Sequence, residues 1–342
     1  MNRRNAIALA LALAGALAVL SAPASAEPLK IRIQTNVPPA HITPLIPAAA
    51  QFGIYKHWGK SYVVEPITIA GSGPGITALA AGEIELAAQG AQTLALTVTN
   101  AKLDVRAIAS EIASGVPGYA ATGFWVRKGE INTIDELRHK SLGVNARGST
   151  PDSVYRLMLG KKGWKEGDDY QIAEVRFAAQ LAALEQKRID VAFLVQPFAL
   201  LAERTGNYHM LFTTADVLGP TETLVYVGKT DWIAKNHAAL IDFMEDHMRM
   251  RQWMTSTDPK TRAQVLGVLS EQLHQPVKNF EDWAFLPKGG QYSDPLLKID
   301  VARMQKNIDD IKAAGILKDS IDAKKYVDMS LADEAAKRFK GK

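Results

Sequence analysis

Two stretches 105 residues apart, counted from position 78 to 183, place the tightest constraint on how this chain can fold. Ala78-Leu-Ala-Ala-Gly-Glu-Ile-Glu-Leu-Ala87 and Ala183-Leu-Glu-Gln-Lys-Arg-Ile-Asp-Val-Ala192 share one plan. Each is a helix end, a tight turn, an isoleucine beside an acid, and a strand running into a polar loop, Gln89-Gly-Ala-Gln-Thr93 in one copy and Gln196-Pro197 in the other. The idiom is common among β-α proteins, so the match alone carries little. It gains weight from the alternation around it. Strand-like runs at Leu29–Ile33, Tyr62–Ile69, Ile84–Ala88 and Val105–Ala109 alternate with helical segments from about Thr43 to Tyr55, through Ala81, and over Gln92–Asn100. Pro66 places the second strand at an edge or bend. A second series follows, with strands at 141–145, 171–175, Ile189–Leu194 and 209–213 and helices at 151–162, 178–187 and 197–205. This is the pattern of parallel sheets with helices on both faces.

Between the series the rhythm breaks near Gly115 to Gly123, and Thr122–Arg127 reads as a crossing strand, with Thr223–Val227 as the return. Thr133-Ile-Asp-Glu136 is a capping box that opens a short helix, a structural role. Beyond Trp232 the pattern is mostly helical, with breaks at Pro276, Pro287-Lys-Gly-Gly290 and Gly315. The fold class expected is α/β, with two α/β lobes joined by two crossover strands and a ligand cleft between them. The expected bounds are 27–120 plus 225–342 for lobe 1, with the helical tail, and 121–224 for lobe 2. In open α/β sheets ligands sit beyond the carboxyl ends of strands.

The first 26 residues read as a cleavable signal peptide. Arg3 and Arg4 precede an apolar run from Ala6 to Leu20 and a small-residue site at Ala24-Ser25-Ala26. The chain is therefore expected to be exported, to a bacterial periplasm, beginning at Glu27. Of its 342 residues none is cysteine, which excludes disulfides, a lipid anchor on cysteine, thiolate metal sites and cysteine nucleophiles. Lys+Arg number 40 against 36 acids; without the two signal arginines the balance is 38 to 36. With no basic block, nucleic acid is not an expected partner.

Gly143-Val-Asn-Ala-Arg-Gly-Ser-Thr-Pro151 takes a strand through a small-residue turn into a helix, with Thr150 as N-cap and Pro151 at the first helical position. A helix start fed this way presents unpaired amides and a positive dipole end, where anionic groups bind well. Ser149 and Thr150 are read either as such a site or as plain caps. Arg147, just upstream, either neutralises an anionic head or is a solvated loop arginine.

Several of these stretches resemble a known family. The Gly71-Ser-Gly loop with the turn at 78–85, the segment Ile134-Asp-Glu-Leu-Arg-His-Lys-Ser-Leu-Gly-Val-Asn145, and Ala183-Leu through Gln196-Pro197 are similar to periplasmic solute-binding proteins of ABC importers. The nearest branch is the one that handles nitrate, taurine, alkanesulfonates and thiamine-precursor pyrimidines. His139 and Ser141 depart from the family's small or glycine residues, Lys187 stands at its usual glycine, and Gln196 replaces an aromatic wall residue common among relatives. The resemblance covers most of 29–227 and adds little in the tail.

It implies a type II periplasmic binding protein that closes on one small molecule. By matched position it implies ligand contacts from Asn36, Pro38 and His41, from Ser72 and Gly73, from Gln92 and Thr93, and from Ser149, Thr150 and Gln196, with Glu222 as a wall residue. His41 alternatively caps or decorates an exposed loop. The expected function is capture of a small polar or anionic solute (sulfonate, nitrate, aromatic carboxylate or pyrimidine type) and its delivery to an inner-membrane ABC permease, by a monomer. No catalytic residue, metal or cofactor is expected: there is no Gly-x-Ser-x-Gly elbow, dinucleotide fingerprint or Walker lysine, and the seven histidines lack metal spacing. The alternatives are a periplasmic sensor module for a membrane receptor and a pyrimidine-synthesis enzyme on the same scaffold. Absent cysteines and the signal oppose the latter. Tyr119 and Trp125 are read as hinge or core packing, and Trp232, Trp253 and Trp283 as core.

Overall fold

The structure, a computed structural model, describes residues 27–35, 45–69, 71–287 and 289–339. The expected signal segment and the loop residues Asn36, Pro38 and His41 lie outside the described residues.

The chain opens with β1 (Leu29–Thr35), α1 (Leu45–Gln51), β2 (Tyr62–Thr68), α2 (Ser72–Ala81), β3 (Ala87–Gln89), α3 (Ala91–Thr99) and β4 (Val105–Ser114). A second series runs through β5 (Gly123–Arg127), β6 (Ser141–Val144), α4 (Thr150–Gly160), β7 (Gln171–Glu174), α5 (Phe177–Glu185), β8 (Val191–Leu194), α6 (Phe198–Thr205), β9 (Tyr208–Thr213) and α7 (Thr214–Leu218). The return is β10 (Thr221–Lys229).

β1 pairs with β2 in parallel and meets β3 through a parallel bridge between Ile33 and Leu86, while β10 runs antiparallel between β3 and β4. The order is β2-β1-β3-β10-β4. The second sheet has the order β7-β6-β8-β5-β9, with β5 antiparallel between its neighbours. Both sheets therefore have one topology, and in each the antiparallel fourth place is filled by the strand that arrives from a crossing. Short apolar strands such as Val191-Ala-Phe-Leu194 are fully buried, as strands covered on both faces must be. Pro66 sits in the edge strand β2, where a missing N–H costs no ladder bond on the outer side.

Two glycines of the Gly71–Gly75 run have packing reasons. Gly71 has φ +87°, and a Cβ on Gly75 would stand 2.1 Å from Gln34 Oε1. The buried Gln34 amide donates to the carbonyls of Ile69 (3.1 Å) and Gly71 (2.9 Å) and accepts from the Ala88 amide (3.1 Å), so it ties the ends of three strand segments beneath α2. In the second sheet Phe124 stacks on Phe212 at 4.3 Å and meets Tyr155 edge-on at 4.8 Å, which makes it the centre of that core.

Residues after β10 form α8 (Thr230–Lys235), α9 (His237–Met254), α10 (Pro259–Leu273), α11 (Val301–Ala313) and α12 (Ser330–Arg338). They complete the core of the first sheet: Phe243, Met244, Met248, Val265 and Leu331 share one apolar cluster with Ile31 and Ile33. α9 is anchored through its fully buried Arg251, which donates to the carbonyls of Glu111 (2.8 Å) and Ser110 (3.1 Å) on β4.

The crossings are stitched together. Ser114 Oγ lies 3.3 Å from Thr214 Oγ1 and accepts from the Thr122 amide at 3.3 Å, and the Thr214 amide donates to the Thr122 carbonyl at 2.9 Å. The expected capping box is present, with the Glu136 carboxylate accepting the Thr133 amide, although the element it opens is a 3-10 turn over Ile134–Leu137.

Two of the three departures from the family's small or glycine residues, His139 and Lys187, fall where glycine is cheapest. Gly82 takes φ +75° at the end of α2; Lys187, its counterpart 105 positions on, takes φ +57°, and His139 takes φ +61°. A Cβ costs on the order of 1–2 kcal/mol in the left-handed region, partly offset by the chain entropy glycine loses. Lys187→Gly and His139→Gly are each expected to stabilise the protein by roughly 0.5–1 kcal/mol, read as a higher urea midpoint at unchanged slope.

Candidate functional site

The face between the two sheets is lined by helix starts and strand ends from both. α4 begins at Thr150 with Ser149 as its N-cap, one residue earlier than expected. The Ser149 hydroxyl does not cap the helix; it donates back to the Ala146 carbonyl at 2.6 Å. Asp152 Oδ2 accepts the Gly148 amide at 2.9 Å, and Pro151 has no N–H. Among the described residues the amides of Thr150 and Asp152 find no backbone acceptor, so the helix start keeps donors available.

A solvent-open cavity, with about 570 Å³ of space when its open side is included, lies against this start. Ser72, the first residue of α2, faces it from one sheet and Asn145, Ser149 and Thr150 from the other, with Thr122 and Thr223 at the crossings and Phe177 and Phe193 as apolar walls. Asn145 Oδ1 is buried with no partner among the described residues. A smaller neighbouring cavity, about 320 Å³ with its open side included, shares Thr150 and is lined by Gln92 and Thr93 from the start of α3, and by Glu222 and Asn307. Three helix N-termini, those of α2, α3 and α4, thus open on two cavities that share Thr150, and their dipoles favour negative charge there. A third and larger cavity, about 930 Å³ with its open side included, shares Ile112, Thr122, Val195 and Gln291 with the first and carries Gln196 on its wall.

Glu222 is buried. It accepts from Ser110 Oγ (3.0 Å) and Arg303 Nη1 (2.8 Å). Burial raises its carboxyl above the usual range, against the pull of Ser110 and Arg303. That pairing makes it a structural wall.

The two sides of the cleft touch. A Cβ on Gly71 would stand 2.7 Å from Ala146 Cβ, and one on Gly90 3.5 Å from Thr150 Oγ1.

A model of the NMT1-like family matches residues 25–270. The chain belongs to the NMT1-like family. No curated protein matches it. Among solved structures, this NMT1-like chain is similar to the ligand-binding component of an ABC-type import system from Staphylococcus aureus with zinc bound (19% identity, TM-score 0.69, 90% of this chain and 99% of that one). It is also similar to the periplasmic aliphatic sulphonate binding protein SsuA from Escherichia coli (17%, 0.64, 89% and 92%). A third is the periplasmic nitrate-binding protein NrtA from Synechocystis PCC 6803 (18%, 0.67, 92% and 89%). At these identities the likeness shows the fold: the NMT1-like chain has the α/β fold of periplasmic binding proteins.

The expected site residues divide accordingly. Ser72, Ser149 and Thr150 meet at one cavity; Gln92, Thr93 and Glu222 meet at the adjoining one; Gln196 lines the third. Gly73 lies in the first turn of α2 and lines none of these three cavities.

Arg147 also lines none of them. Its guanidinium pairs with Glu166 (2.7 Å) and Glu174 (3.4 Å), with the side chain 47% exposed, and this contact holds the Glu166 carboxyl below its usual range. Glu166 also binds Arg156, which reaches back to Asp152, so the charges near this helix start form a surface network. Arg147→Ala is expected to change stability by less than about 1 kcal/mol, as for other exposed pairs, and to leave solute affinity within twofold by calorimetry.

Sequence reasoning missed Gln291, Trp283 and Phe285. The tail read as mere core supplies one wall of the larger cavity: Gln291 Nε2 donates to Thr122 Oγ1 at 2.8 Å, and the Ala120 amide donates to the Gly290 carbonyl at 3.0 Å. Trp125 and Trp283 are buried as expected, yet both also line that cavity. Among the described residues no group of three or more His, Asp or Glu is placed to hold a metal ion.

Proposed function

We propose that this protein is the exported solute-binding component of an ABC import system. It captures a small polar or anionic organic solute in the cleft and hands it to an inner-membrane permease without chemical change. The observation that carries the reading is the set of neutral donors and helix starts (Ser72, Thr150 and the amides of α4, with Thr122 and Thr223) arriving from both sheets at one cavity. Such a site forms only when both sides are together, which is what a capturing cleft requires. Lobes of 27–120 plus 225–342 and of 121–224 would rock about the Ser114–Thr122–Thr214 stitch, and exclusion of water would strengthen each polar contact. The NMT1-like membership and the sulphonate- and nitrate-binding neighbours support this class of solute. A leader at 1–26 and a periplasmic location accord with it.

A thermal-shift panel on residues 27–342 tests the proposal, with nitrate, taurine, alkyl and aryl sulfonates, aromatic carboxylates and pyrimidines. A true ligand at a hundred times its Kd is expected to stabilise the fold by about 2.7 kcal/mol. Thr150→Val, which keeps the shape and removes the hydroxyl, is expected to weaken that ligand about fivefold to tenfold, the worth of one hydrogen bond of about 1–1.4 kcal/mol. A panel without a single shift would overturn the assignment, and an unchanged affinity in Thr150→Val would move the site away from the α4 start.

A further inference from the structure

The larger cavity holds a feature that the polar cleft does not explain. Trp125 is only 8% exposed, and its indole Nε1 is buried with no hydrogen-bond partner among the described residues. A buried indole N–H ordinarily finds an acceptor. Its surroundings show where that acceptor would come from. Trp125 and Gly123, both on β5, line the cavity, and a Cβ on Gly123 would stand 3.2 Å from the Trp125 nitrogen and 2.2 Å from Met210 Sδ. The donor therefore stands beside a glycine, and the space over that glycine is held by the Met210 thioether rather than by a fixed side chain of β5. Met210 is 45% exposed, and its flexible thioether can shift to suit an occupant. Trp283 and Phe285 from the tail also line it, so two elements remote in sequence give the cavity aromatic walls.

We propose that this cavity is a subsite for the organic body of the solute: an aromatic ring that carries a hydrogen-bond acceptor, received by the Trp125 N–H, while the polar head sits at the α4 start. This rests on the solute-binding reading above and narrows it, because nitrate, taurine and methanesulfonate fill the polar cavity alone. Two observations make the cavities one site: Ile112, Thr122, Val195 and Gln291 line both, and Gln291 is held on Thr122 by a hydrogen bond at their junction.

Calorimetric titration of residues 27–342 separates this proposal from the reading beneath it. The short probes are nitrate, taurine and methanesulfonate; the ring probes are benzenesulfonate and benzoate, each with its 4-methoxy derivative, and a pyrimidine. Ring probes are expected to bind at least tenfold tighter than short ones, from the ring area removed from water. The methoxy derivatives are expected to gain about another fivefold from the indole bond. W125F keeps the ring and loses the donor, so it is expected to erase the methoxy increment while leaving the short probes unchanged. G123V drives a side chain against Met210 and the indole nitrogen, so that Met210 can no longer make way for an occupant, and is expected to abolish the preference for rings. Short probes binding as tightly as ring probes would overturn the subsite and leave the solute-binding reading standing. Methoxy increments that survive W125F would overturn the role of Trp125. Binding by no probe of either kind would overturn the solute-binding reading, and the subsite with it.

Discussion

Arg251→Met is expected to cost about 3–5 kcal/mol, the largest loss from any single substitution considered for this protein. The guanidinium is fully buried, and burial pushes its pKa down to about 10, so it is still charged at neutral pH. It is kept there by its bonds to the Glu111 and Ser110 carbonyls and by the negative potential of the Glu111 side chain in the same layer. Methionine fills much of the volume and offers no donor. β4 then loses two contacts from α9, and the buried Glu111 loses the cation that offsets it. For a chain of this size the change reads as a melting temperature lower by roughly 6–12 °C. β4 also carries Ile112, which lines two of the cavities. The loss of stability is therefore expected to bring looser ligand binding, seen as a smaller thermal shift with the best panel member. A drop under 2 °C would show that the guanidinium contributes less than its desolvation costs.

Ala146→Phe is expected to reduce affinity for the best ligand by about a hundredfold while leaving the unliganded melting temperature within about 2 °C. Ala146 Cβ stands 2.7 Å from where a Cβ on Gly71 would be, and these two residues adjoin Ser72 and Ser149, which line the cavity. An added ring has no room in this arrangement, and forcing a large side chain into closed packing costs typically 1–3 kcal/mol or more. Under the proposed mechanism that cost falls on the closed form alone, because separated lobes leave the ring in water. A penalty of about 2.7 kcal/mol carried only by the binding-competent form lowers apparent affinity a hundredfold. Solution scattering provides the second readout. Saturating ligand is expected to shrink the radius of gyration of the wild type and to leave that of Ala146→Phe unchanged. Affinity retained within threefold would mean that Gly71 and Ala146 do not meet in the ligand-bound form.

Much of the architecture was legible because it depends on local periodicity. The β-α alternation, the repeat 105 positions apart, the edge placement of Pro66 and the capping box at Thr133 each follow from spacing and from what a backbone amide can or cannot do. The two crossings could be read as breaks in that rhythm. The demand for a left-handed residue at 187 was visible as the glycine of the matching turn at 82, even though lysine answers it. Helix starts near Gln92 and Thr150 were legible for the same reason, since small polar residues before an apolar run announce unpaired amides, whereas the Gly71–Gly75 run reads as a loop and forms the first turn of α2.

The rest was decided by tertiary structure, because it depends on which surfaces meet. Nothing near Arg147 in sequence reveals that Glu166 and Glu174 come round to pair with it. The cap at 149 turned on a hydroxyl choosing the Ala146 carbonyl, a contest between neighbours that a propensity does not resolve. The tail, whose local pattern says only that it is helical and apolar, returns across more than 160 residues to set Gln291 against Thr122 and Trp283 beside the cleft. Sequence alone determined the two-sheet plan and the helix starts that face the cleft, since those are properties of short segments. The occupant's shape, the pairing of the charges and the closeness of Gly71 to Ala146 belong to contacts between distant segments, and only the folded chain sets them.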